Sequence, residues 1–174
     1  MASLCAGTDS PALVFNAFIH ALQPVFAMHG LPPVEMKVAL SSEIDTYKRG
    51  FLVKAHKLDP KQNILYGDVR KLGESSEADN HLIPLPDGCD GWQKTPIPKF
   101  NFMTAGFPCK DFSSKNINRK KNRFNIKKSA GKSGSTFEGI VQFHENHGEE
   151  VLVSFFENVV GLMTPPKVDC KQLD

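Results

Sequence analysis

Short apolar runs alternate with stretches of helical spacing along this chain, and that alternation limits the architectures open to it. ASLCAG comes first as a strand-like run. TDSPALVFNAFIHAL then reads as a helix, with Asp9 or Ser10 placed to cap it and Pro11 suited to its first turn. VEMKVALSSE is a second strand, DTYKRGFLVKAHK a second helix, and NILYGDV and FNFMTAG a third and a fourth strand. STFEGIVQFHEN returns to helical spacing before a fifth apolar strand, EVLVSFFENV. Strands separated by helices predict an α/β domain with a mostly parallel sheet. A chain of 174 residues suits a single domain over 1–174 with a real core. Residues 73–98, rich in Pro, Gly and acid, read as an irregular surface insertion.

In open α/β sheets, ligands bind beyond the carboxyl ends of the strands. Here those ends carry CAGTDS, Glu43, Asp68, Pro108-Cys109 and Glu157-Asn158. Three carboxylates and one thiol would share one edge. Cys109 is the informative one. A cysteine kept for packing belongs inside an apolar run, whereas Cys109 follows Gly106 and Pro108, which force a turn and present the sulfur at a strand tip.

The four cysteines are widely spaced, with no Cys-x-x-Cys pair and no paired histidines, so neither a zinc site nor a disulfide framework is expected. That usage fits a reducing intracellular compartment. No run of 18 uninterrupted apolar residues occurs, and the apolar start has no basic flank, so neither a membrane span nor a secretory signal is expected. Residues 115–134 are crowded with Lys and Arg. SAGKSG within them lacks the first glycine of a P-loop and follows no strand, and is rejected as one.

TAGFPCKDFSS resembles the Pro-Cys motif of the cytosine-C5 DNA methyltransferases, and FFENVVGL resembles their Glu-Asn-Val motif. SLCAGTDSP, SSEID and LYGDVRKL resemble their first three motifs, in the family's order. The matches run from residue 3 to about residue 162 and cover the family's amino-terminal catalytic part. The resemblance implies a Rossmann-like fold that uses S-adenosyl-L-methionine. It places the methionine moiety at the turn of Cys5, Gly7, Thr8 and Asp9, the ribose hydroxyls on Glu43 beside Ile44, and the adenine amino group on Asp68 beside Val69. It implies that Cys109 attacks C6 of a flipped cytosine, that Glu157 holds the N3 and N4 edge, and that Asn158 and Pro108 shape the loop.

The resemblance also implies that the basic segment closes over DNA. Lys110, Ser113, Lys115, Arg119, Lys120, Lys121, Arg123, Lys127 and Lys128 would then meet phosphates. Cys5 and Asp9 depart from the family's aromatic and second glycine. Asp9 is expected to cap the helix while adding a charge and a Cβ where backbone approach is close. The family's Gln-x-Arg-x-Arg segment, target-recognition region and final helix have no counterpart in the sequence. Three readings therefore stand together: a DNA methyltransferase half completed by a partner chain, a non-catalytic module that binds cofactor and nucleic acid, and a tRNA cytosine methyltransferase. No metal is expected.

Overall fold

A computed structural model describes residues 1–7, 9–86, 91–108 and 132–157. Strand β1 (Ala2–Leu4) leads into helix α1 (Ser10–Met28), β2 (Leu40–Ser42), helix α2 (Thr46–Ala55) and β3 (Leu65–Tyr66). A single 3-10 turn (Val69–Lys71) precedes β4 (Glu77–Pro84), β5 (Trp92–Pro96) and β6 (Phe102–Gly106). Helix α3 (Lys132–His147) and β7 (Val153–Glu157) complete the described elements.

The strands form one seven-stranded sheet in the order β5-β4-β3-β2-β1-β6-β7. The five from β3 to β7 in that order run parallel, as the alternation predicts, and β4 and β5 are antiparallel additions at one edge. β1 sits near the middle, every residue of it buried, because both faces are covered. Successive parallel strands run one way from β1 to β3 and the other way from β6 to β7. Right-handed crossovers therefore set α3 on the face opposite α1 and α2.

Three expectations need correction. Residues 73–98 are not an irregular excursion, since β4 and β5 pair with each other and β4 pairs with β3. Tertiary bonds impose that order: the buried Tyr66 hydroxyl donates to the carbonyls of Thr95 and Pro96, at 3.1 and 3.0 Å. The expected ten-residue second strand shrinks to Leu40–Ser42, because only that part lies between β1 and β3. The first helix runs past Leu22 to Met28, with Pro24 inside it.

Helix α1 lays Ala12, Phe15, Ile19, Leu22 and Phe26 toward the sheet, at the spacing of one helical face. Phe15 meets Phe102 edge-on at 4.9 Å and Phe155 at 6.0 Å. By length and composition alone α1 could cross a membrane. Here it is the crossover between two hydrogen-bonded parallel strands, β1 and β2. On the other face, Ile140 and Phe143 of α3 are fully buried, and Phe143 stacks on Phe100 at 5.5 Å.

Candidate active site

Strand order reverses at β1, so the loops leaving β1 and β6 diverge and open a crevice between them. A cavity of about 260 Å³ lies there, lined by Cys5, Ala6 and Gly7 after β1, Lys48 of α2, Thr104 and Gly106 of β6, and Glu157 of β7. A wider cavity of about 580 Å³, between Phe15, Lys37 and Phe100, opens among residues at the amino ends of β1 and β6. None of the sequence-predicted site residues lines that one. Cys5, Gly7 and Glu157 of the sequence-predicted set line the smaller cleft.

The turn after β1 is unusual in its backbone. Cys5, Gly7 and Asp9 all have positive φ, at 53, 58 and 55°, a region costly for side chains other than glycine. Hydrogen bonds hold it there: Ala6 N–H donates to the Ser42 carbonyl at 2.9 Å and Gly7 N–H to Glu43 Oε2 at 2.8 Å. Glu43 directly follows β2 and is only 5% exposed. Its other oxygen accepts from Asp45 N–H at 2.9 Å. Each carboxylate oxygen has two acceptor positions, so each keeps one for a ligand.

Asp9 does not cap α1. It stands at the cap position, but its side chain makes no cap bond. Instead it is 2% exposed and accepts from the Ser3 hydroxyl at 2.5 Å. A capping aspartate needs an extended backbone, and the left-handed φ of Asp9 swings its carboxylate inward. Burial pushes that carboxyl above the usual range, opposed first by the Ser3 bond and then by His56.

Asp68 caps the 3-10 turn and is gripped by Arg70. It accepts from Arg70 N–H at 3.0 Å, from Nε at 2.9 Å on both oxygens, and from Nη2 at 2.5 Å. The Arg70 hydrogen bonds hold its carboxyl below the ordinary range, with burial opposing them. Those contacts take up its acceptor capacity, so an adenine amino group would have to share Asp68 with Arg70. Val69 is buried in the core, whereas Ile44 is exposed beside Glu43.

Gly106 and Glu157 are register partners on β6 and β7. A Cβ on Gly106 would come within 3.1 Å of Glu157 Oε2, so the glycine admits the carboxylate across the strand end. Pro108 follows, exposed. Thr8, Cys109, Asn158 and the predicted phosphate contacts from Lys110 to Lys128 lie outside the described residues. Burial, then the Glu43 and Asp68 carboxylates, push the Cys5 thiol up to about 12, with Lys48 and Arg70 opposing. Cys5 is therefore a neutral thiol at physiological pH.

Over 161 residues the chain is 28% identical to DNA (cytosine-5-)-methyltransferase DMT5 of Cryptococcus neoformans. The chain is a distant relative of a methyltransferase. The alignment takes in 91% of this chain and 6% of the length of that relative. No protein-family model matches the chain. The largely parallel sheet and its helices are consistent with a Rossmann-like methyltransferase fold. The sequence alone did not point to Lys48, which lines the cleft, or to Arg70, which holds Asp68. Lys48 could have been found, since it stands five residues after Glu43 in a helix that starts at the sheet's carboxyl edge.

Proposed function

We propose that the chain is the catalytic part of a DNA cytosine-5 methyltransferase that uses S-adenosyl-L-methionine. The observation that carries this reading is the meeting of two structures at one switch point. The Gly7 turn is tied to buried Glu43, and the Glu157 carboxylate lies against Gly106 at the strand end that leads to Cys109. The residues fit the cofactor: Glu43 retains acceptor positions for ribose hydroxyls, and Gly7 has open space over its Cα. When bound, the cofactor supplies an electrophilic methyl group.

The chain's own residues supply the rest. Cytosine C5 is a weak nucleophile until a thiolate adds at C6. In this reading Cys109 Sγ bonds C6, and the C5–C6 electron pair moves onto C5. Glu157 hydrogen-bonds the N3 and N4 edge and stabilises charge building on the ring. Once C5 carries the methyl group, loss of its proton to a base restores the C5–C6 double bond and expels Cys109 as a thiolate. The base must first leave the duplex, because C5 and C6 are stacked within it. The basic segment 115–134 holds the flanking phosphates, and a complementary region, on the same or a partner chain, selects the target.

The test is a covalent trap. DNA carrying 5-fluorocytosine is incubated with cofactor and the chain, alone and joined to a target-recognition region. Fluorine cannot depart as a proton does, so a denaturant-resistant adduct is expected. Cys109→Ser should abolish it, and Glu157→Gln should slow it about a hundredfold. An adduct surviving in Cys109→Ser would name another nucleophile. If the chain takes up cofactor but forms no adduct in either form, the module is non-catalytic.

A further inference from the structure

We propose that Lys48 reads the carboxylate of the cofactor's amino-acid end in the switch-point cavity. The inference rests on the cofactor reading above and adds a residue to it. Among the described residues lining the cavity, Lys48 carries the only positive charge, while the Glu157 carboxylate is committed to the base in the reading above. An α-carboxylate entering this cavity has that one cation to meet.

The placement of Lys48 follows from the start of α2. Asp45 accepts from the N–H groups of Tyr47 and Lys48, at 2.9 and 3.1 Å, and so fixes the first turn. In that register Tyr47 stands in solvent, 91% exposed, while Lys48 lines the cavity beside the β1 turn. The other cations nearby are already engaged. Arg49 donates to the carbonyls of Glu43 and Ile44, at 2.9 and 2.7 Å, and Arg70 is locked on Asp68. The Lys48 ammonium makes no hydrogen bond and no ion pair among the described residues.

The cavity walls suit the same guest. A Cβ on Gly7 would meet nothing nearer than the Cys5 carbonyl at 3.9 Å, so the floor beneath the turn is open. Cys5 remains a neutral thiol and adds no anion to compete for the ammonium.

Two ligands separate this role from general binding. S-adenosylhomocysteine carries the amino-acid end, and 5′-methylthioadenosine lacks it. Titration calorimetry on the full chain should show Lys48→Met weakening S-adenosylhomocysteine about tenfold, the loss of one charge-assisted bond at a partly solvated site. Binding of methylthioadenosine should stay within about twofold, and Lys48→Arg should recover most of the lost affinity. Lys48 is exposed, so folding is not at stake, and methylthioadenosine binding reports on the rest of the pocket. Unchanged S-adenosylhomocysteine binding in Lys48→Met, or equal losses for both ligands, overturns the inference and leaves the cofactor reading standing. A wild-type chain that binds neither ligand overturns both.

Discussion

Residue 9 places a carboxylate where the backbone is left-handed and water is excluded. The charge there is costly, because the Ser3 hydroxyl, with smaller help from His56 and the Ala12 N–H, does not make up for a full hydration shell. Its consequence for stability has a definite sign. The folded pKa lies above the unfolded one, so the folded state holds the proton more tightly. That contribution is complete below the ordinary aspartate value of about 3.9 and is lost as pH rises through the folded value. Asp9→Asn keeps an acceptor for Ser3 and removes the charge. At pH 7 it should raise stability by about 1 kcal/mol, roughly 3 °C in Tm for a chain of this size, with the gap closing toward pH 4. Parallel melting curves for the two proteins across that pH range would show that Asp9 carries no buried charge. Asp68 acts oppositely, since its contribution is present above the ordinary value and fades as pH falls. The sequence flags Asp9 as a departure from glycine, and the positive φ shows what the two residues have in common at this turn. It could not show the inward rotation, because side-chain direction follows φ and not residue type.

Elements that depend on their own pattern were legible: the end of β6, the place of β7 and the span of α3 fall close to where apolar runs and helical spacing put them, whereas β3 keeps only Leu65–Tyr66 of the expected NILYGDV. The β4–β5 hairpin was not. Its residues alternate poorly, and its order comes from Tyr66 and from Asn80, whose side-chain oxygen accepts from Leu65 and Leu82 N–H at 3.2 and 3.1 Å. Partners so far along the chain leave no local signature. Gly139 is a similar case. A glycine inside a helix is unfavourable by about 1 kcal/mol against alanine, so its place in α3 needs a reason from packing. The reason is the 3-10 turn, since a Cβ at 139 would fall 2.8 Å from Arg70 Cα and 3.2 Å from its N. Backbone cannot yield as a flexible side chain would. Gly139→Ala should therefore lower stability, with overpacking of about 2–3 kcal/mol exceeding the gain in helix propensity. The net is a fall in Tm of about 3–6 °C. By displacing Arg70 it should also loosen the grip on Asp68. A Tm equal to or above wild type in a thermal melt would show that α3 has room to move away.

On the scale of the whole chain, charge is unevenly placed. The net value is +2, from 21 basic and 19 acidic residues. Eight of the basic residues fall within 115–134, a segment with no acid, so the remainder carries thirteen basic against nineteen acidic side chains. A chain that is net acidic outside one segment concentrates its positive charge there. Two of the three ion pairs among the described residues are exposed Lys–Glu contacts, Lys37–Glu35 and Lys99–Glu150, and the exposed Lys48, Lys54, Lys57 and Lys61 in and after α2 form a smaller basic group. Nucleic-acid affinity is therefore expected to reside in 115–134, to be independent of sequence, and to fall steeply with salt as counterions return to the phosphates. Replacing Lys120, Lys121, Lys127 and Lys128 with glutamine takes the net charge from +2 to −2. Every phosphate that is no longer neutralised should reduce the slope of log affinity against log salt on duplex DNA by about 0.9. Four such phosphates would reduce it by about 3.6. Fluorescence anisotropy of a labelled duplex, titrated at several salt concentrations, reads that slope directly. A variant with the wild-type slope would move the phosphate-binding surface away from this segment, and the closing loop of the proposed reaction would have to be sought elsewhere in the chain.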